Sequence, residues 1–360
     1  MWELSDKAVN PLLAVSNRLL SVACCLLLVA FVPASAQDIH FSQYNSSPLT
    51  LNPALTGFYA GDYRLVANYR SQWGSFSEPY RTIAGSVEVT TLKGKLKHDY
   101  LGLGIQFFND KAGEIELGTN SLALSAAYSK ALGRKHNNAL VFGLQAAILK
   151  QRMNMDKLIF DSQFNGVTVD PGQPSGEAIS GTSNLAADMS VGLLYHTSPR
   201  DNLNFYFGGA YYHILRPRIS FLSGSDYQLN AKYVGHIGAR IPMGRLLNLL
   251  PSAVYYQQGG ARQINAGTYL QFVLNDNDWE ELTAFSLGAW VRVAEPLPDA
   301  FIIGARMDYW NFTLGLSYDV NISGLHAASQ SRGAYEIAVI YTGRHTTRGQ
   351  RNLMLPCPQL

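Results

Sequence analysis

Eight histidines are spread along the chain: His40, His98, His136, His196, His213, His236, His326 and His345. No two of them sit four residues apart in the His-Glu-x-x-His arrangement that places two imidazoles on one helix face around a metal. Nor is there a Gly-x-Ser-x-Gly elbow to present a nucleophilic serine. Asn275-Asp276-Asn277-Asp278 offers oxygen ligands, but it lacks the glycine and distal glutamate of a calcium loop, so it reads as an Asx-rich turn. Esterases and proteases do occur on membrane barrels, so fold alone excludes no chemistry. These residue types in these spacings give no catalytic, cofactor-binding or metal-ligating set. A non-enzymatic chain without a cofactor is expected.

Two basic stretches remain, Lys93-Gly94-Lys95-Leu96-Lys97-His98 and the tail carrying Arg344, Arg348 and Arg351. Both read as solvated or lipid-headgroup contacts, with a protein partner as the sharper alternative. The net charge of +2 gives no reason to invoke nucleic acid. The pairs Tyr211-Tyr212 and Tyr255-Tyr256, with Trp73, Trp290 and Trp310, read as girdle or strand-end aromatics.

The elements that carry these residues follow from the leader and the periodicity. Leu19 to Val32 is an apolar run after Arg18, and Ala34-Ser35-Ala36 supplies a small-x-small cleavage pattern, so residues 1–36 are expected to be a signal peptide cleaved after Ala36. Cys24 and Cys25 would leave with it. Cys357 would then be the single cysteine, which excludes an intramolecular disulfide. No later apolar run approaches the roughly 20 residues a membrane helix needs. Instead, alternation at period two recurs after Gly61. Leu101, Leu103, Ile105 and Phe107 share one face; so do Leu140, Phe142, Leu144 and Ile148; so do Tyr335, Ile337, Val339 and Tyr341. A charged fraction of 15%, with 20 Tyr, 16 Phe and 32 Gly, fits strands that turn an apolar face to lipid.

The fold expected is an all-β transmembrane barrel of about 14 antiparallel strands, each about ten residues long, with its long connections on one side. The long ones would include Ser71–Pro79, Arg152–Leu185, His213–Leu229, Val293–Asp299 and Asn321–Gly333. The expected division is a leader 1–36, an N-terminal segment 37–60 at the periplasmic mouth or inside the lumen, a barrel 61–342 and a periplasmic tail 343–360. Both termini would be periplasmic. In that register Phe108, Val141, Leu149, Phe301 and Ile340 point into a partly filled lumen.

The ends carry a more specific pattern. Gln37-Asp38-Ile39-His40-Phe41-Ser42-Gln43, Pro48-Leu49, Asn52-Pro53-Ala54-Leu55-Thr56-Gly57 and Asn68-Tyr69-Arg70-Ser71-Gln72-Trp73 open the chain. Gly315 to Ser323, Gly333-Ala334-Tyr335-Glu336-Ile337 and Pro356-Cys357-Pro358 close it. Together they resemble the PorP/SprF family of the type IX secretion and gliding machinery of the Bacteroidota. The resemblance implies a non-enzymatic integral outer-membrane protein. Its partners would be type IX components, including periplasmic-side lipoprotein and peptidoglycan-binding proteins, with secreted cargo bearing gliding-type C-terminal sorting domains and outer-membrane lipid. The residues it singles out are Gln43, Pro48, Asn52, Pro53, Gly57, Tyr69, Arg70, Gln72 and Trp73, as a lumen plug, a partner-docking surface, or simply the entry to the first strand. Two alternatives stay open: an outer-membrane transport barrel for solutes or hydrophobes, and a secreted β-sandwich.

Overall fold

The computed structural model describes residues 38–344 except 75–76, 94, 97, 134–136, 171, 178, 180, 182, 201, 222–223, 225, 276–282, 295–296 and 325. The expected signal peptide, most of the basic tail and the Asx-rich turn at 276–278 lie outside the described residues.

Alternating apolar residues put one side of each strand in lipid, and closure removes the edges that lipid would leave unpaired. Fourteen strands run in sequence: β1 Tyr63–Gln72, β2 Tyr80–Thr91, β3 Tyr100–Ala112, β4 Leu117–Leu132, β5 Asn138–Arg152, β6 Ser183–Arg200, β7 Leu203–Tyr212, β8 Lys232–Pro242, β9 Leu247–Gln258, β10 Ala261–Asn275, β11 Thr283–Ala294, β12 Leu297–Tyr309, β13 Phe312–Asn321 and β14 Arg332–Gly343. Each pairs antiparallel with its sequence neighbours, and β1 closes on β14 from Tyr63↔Gly343 to Gln72↔Ala334. The strands are 10 to 18 residues long, so several exceed the ten expected from the sequence. No helix among the described residues is long and apolar enough to cross a membrane.

The outer face is apolar: Ile83, Phe107, Leu124, Phe142, Ile148 and Phe207 are all about half exposed there. The inner face carries Arg64, Asn68, Arg70, Glu88, Gln106, Gln145 and Glu336, all buried. Phe108, Val141, Leu149 and Ile340 point inward as expected, whereas Phe301 points outward and Ile302 takes the inward place. The register shifts just before Phe301, Arg292 pairing with Ala300 and Val293 with Pro298, so Asp299 is an extra residue on this same strand. Trp290 is likewise not a girdle residue; it is buried in the lumen against Tyr269, with ring centroids 4.4 Å apart.

The connections 153–182, 213–231 and 322–331 lie at one end, termed here the long-loop end. Expected length sorting fails at Val293–Asp299, where pairing continues almost to the turn and only 295–296 separate the strands.

Residues 38–61 run down the inside of this wall. Phe41, Tyr44, Leu49, Leu51, Ala54, Leu55 and Phe58 are each at most 3% exposed, and Tyr44, Leu51, Ala54, Leu55 and Phe58 form one apolar core with wall residues that include Ala127, Val141, Leu194 and Val254. Burying leucine and phenylalanine side chains contributes roughly 1.5–3 kcal/mol each. Close approach is possible because the wall lacks side chains where the segment touches it: a Cβ on Gly143 would collide with the backbone of Pro53 and Ala54. At the bottom, Gly57 takes φ 75° against Gly102, a left-handed conformation costly for other residues. Replacing Gly143 with Val is therefore expected to cost about 1–3 kcal/mol or more through overpacking. A lower urea midpoint of the folded barrel in lipid would register it, while the outward-facing Ala146→Val should leave the midpoint unchanged.

Candidate functional site

Three polar clamps hold the lumen segment, built from strands far apart in sequence. The lowest is near the start of β1. The carboxylate of Glu88 accepts from Arg64 in two bonds of 2.9 Å and from the Gly57 N–H at 3.0 Å. Arg64 also lies 4.5 Å above the Tyr59 ring. Bidentate pairing of this kind fixes orientation as well as energy.

The middle clamp is Asn52, which is fully buried. Its Oδ1 accepts from the Ala54 N–H at 2.9 Å and caps the short turn Pro53–Leu55, which proline begins. Its Nδ2 faces the carbonyls of Leu193 (3.0 Å) and Gly209 (3.2 Å) and His236 Nε2 (3.0 Å). Pro48 likewise opens the single helical turn Pro48–Leu51.

At the long-loop end the third clamp gathers charge. Glu336 accepts from the backbone N–H groups of Ser42 (2.7 Å) and Gln43 (2.8 Å) and pairs with Arg70. Arg70 also reaches Asp319 (3.4 Å) and the side-chain oxygen of Gln72 (3.1 Å). Arg292 bridges Asp319 (2.7 Å) and Asp299 (2.9 Å). Ser42 Oγ donates to Asp319 at 2.8 Å and accepts from Arg70 and Arg292.

Beside it, His213 follows β7 in a left-handed conformation with φ 62°. Its Nε2 meets Asp38 Oδ2 at 2.5 Å and its Nδ1 meets Asp188 Oδ2 at 2.7 Å. Burial alone would lower the imidazole pKa, but the carboxylates of Asp38 and Asp188 outweigh it and raise the value to about 9. Burial pushes the Asp38 carboxyl up, while His213 and Lys232, the latter 3.8 Å away, more than offset this and hold it well below the usual range.

Of the residues singled out from sequence, the structure brings Gln43, Pro48, Asn52, Pro53, Gly57, Arg70 and Gln72 together in or against the lumen segment. It does not bring Tyr69 or Trp73 there. Tyr69 is on the outer face, its ring 5.9 Å from that of Tyr335, and Trp73 sits past β1 with φ 61°, edge-on to Tyr80 at 4.9 Å. Sequence reasoning missed Arg64, Glu88, Asp188, His213, Lys232, Arg292, Asp319 and Glu336 as partners. Seven of them share one signal: a charged residue at an inward position of a lipid-facing strand. Lys93, assigned above to a basic patch, pairs with Asp62 at 3.0 Å at the barrel entry.

Asp38 and Gly343 lie at opposite ends of the barrel, because the lumen segment spans its length before β1 begins.

The profile of the family described as type IX secretion system membrane protein PorP/SprF matches residues 34–341. The chain belongs to that family. No curated protein matches the sequence. Similar solved structures include the Ralstonia pickettii toluene transporter TbuX, at 10% identity over 83% of this chain and 94% of that one, with a TM-score of 0.47. The CymD monoaromatic hydrocarbon channel aligns at 10% identity over 84% and 94%, with a TM-score of 0.48. CdiB from Acinetobacter baumannii aligns at 10% identity over 78% of this chain, which spans 60% of that one, with a TM-score of 0.41.

Two outcomes follow from the clamps. Glu336→Ala leaves two buried backbone donors without their acceptor and Arg70 with only its longer contact to the Asp319 carboxylate, so it is expected to cost about 3–5 kcal/mol in urea unfolding. The Arg70→Ala/Glu336→Ala pair should cost less than the sum of the single variants. The pKa of His213 is raised above its unfolded value of about 6.5, so its stabilisation is full below that value and is lost as pH rises through about 9. The stability gap between wild type and His213→Gln should be present at about pH 6 and closed at about pH 10, read as urea midpoints at both.

Proposed function

We propose that this protein is an outer-membrane accessory component of type IX secretion and gliding, non-enzymatic, which supports export or surface attachment of sorting-domain cargo by binding proteins at its two rims. The observation that carries this reading is the filled lumen. A solute channel needs an open polar bore, and here residues 38–61 occupy it as a plug clamped at three levels. A transport role would require all three clamps to release. The family membership supplies the machinery; the occupied lumen favours contact over conduction within it. The long-loop end faces outside on this reading, the usual side for long barrel loops, and the opposite rim meets periplasmic-side lipoprotein and peptidoglycan-binding partners. Tyr69 and Trp73, outside the plug, belong to the wall and rim, so Trp73 is the better probe of docking and Arg70 of plug retention.

An in-frame deletion should remove one or a few sorting-domain proteins from the secreted and surface fraction, measured by quantitative proteomics. The purified wild-type protein should be silent in planar bilayers. Steady conductance by the wild-type barrel, with an unchanged secreted profile in a strain lacking paralogues, would overturn the reading in favour of transport.

A further inference from the structure

The outer face is not uniform where its apolar band ends near the long-loop end. On much of the wall that edge carries tyrosines: Tyr69 beside Tyr335, Tyr211 beside Tyr233, and also Tyr255 and Tyr318. Such rings suit the headgroup boundary. On β2, β3 and β5 the corresponding outward positions are cationic. Arg81 follows Ile83 at the edge, Lys111 stands two outward places beyond Phe107, and Lys150 and Arg152 follow Ile148.

Pairing aligns them. Arg81 is opposite Lys111, Lys111 opposite Gly118, and Gly118 opposite Arg152, so three cations share one row across four strands. The row beneath it is polar: Asn109 opposite Asn120, and Asn120 opposite Lys150. Gly118 has no side chain to fill its place. A Cβ there would sit 3.5 Å from Cγ and Nε of Arg152, so the arginine lies across the wall toward Lys111. Arg81, Lys150 and Arg152 are exposed and Lys111 is half-exposed. None of the four is in an ion pair among the described residues. The neighbouring acid Glu116 is bonded to Lys157 at 3.1 Å and feels the charges of Lys111 and Arg152 without pairing with either.

Strands lie ~4.8 Å apart, so Arg81 and Arg152 flank a strip three strand spacings wide, closed below by apolar side chains. The geometry points to a binding site for a membrane lipid with a phosphorylated headgroup, its acyl chains on Ile83, Phe107, Leu122 and Ile148 and its phosphates on Arg81, Lys111 and Arg152. Arginine and lysine are the side chains suited to phosphate at this depth. The occupant is an anionic glycolipid of the outer leaflet, which rests on the reading that the long-loop end faces outside.

The test uses the full-length protein in detergent with diphosphoryl lipid A as probe, read by native mass spectrometry. The same lipid with its phosphates removed is the comparison. The wild type is expected to retain the diphosphoryl form selectively. Arg81→Gln/Lys111→Gln/Arg152→Gln should weaken that binding on the order of 100-fold, at roughly fivefold per charge, with the barrel still heat-modifiable on gels. Lys95→Gln/Arg245→Gln at the opposite rim should not change it. Equal binding of both lipid forms, or an unchanged triple variant, overturns the site. Orientation is read separately, by thiol labelling of a Val167→Cys variant on whole cells in a Cys357→Ser background. Absence of label there would leave the cations in the inner leaflet and overturn the glycolipid assignment, while leaving the phosphate measurement intact.

Discussion

A wall of fourteen strands encloses more space than its inward side chains can fill, and how that space is occupied governs everything else in this molecule. Water could fill it, at no cost to polar residues, and give a channel. Here the chain supplies its own filling from the residues just before β1. Once an apolar segment lies there, inward charges lose their water and must find partners. That is why Glu88, Asp319 and Glu336 each face an arginine and a donor from the lumen segment. Buried pairs of this kind add little net stability against an apolar alternative, but they penalise a wrong partner heavily. Their use in this lumen is to fix which residues of the segment meet which strands.

Much of the wall was legible from sequence because a barrel strand has one rule, and lipid enforces it at every second residue. Leu101 to Phe107 and Leu140 to Ile148 obey it without interruption, and their faces are as expected. The rule weakens where the face no longer meets lipid. Phe301 lies on a strand paired across a bulge, and a shift of one place exchanges inside for outside. Trp290 has a girdle residue's composition but an inward parity, and composition was the weaker guide.

The lumen segment was only half legible. Its caps and turns announced themselves, since Pro48, Asn52, Pro53 and Gly57 have local backbone uses. Its destination did not. Ser42 meets Glu336 and Asp319 across nearly three hundred residues, and no local pattern specifies a contact at that separation. The inward charges on β1, β2, β11, β13 and β14 were a usable sign that something other than water awaited them, since an open polar lumen has less need of paired opposite charges.

Arg70 and Glu336 are not only a clamp on Ser42 and Gln43. They are direct opposites across the pairing of first strand with last. During assembly the arginine is made early and its acid arrives almost at the end of translation. Until the two edges meet, the wall holds an uncompensated cation facing inward, and the segment's nitrogens have no acceptor. Zipping the seam and locking the filling are thus a single cooperative event, so a barrel that closes out of register, or closes empty, carries an electrostatic defect at its own join. The molecule proofreads its circumference with its contents.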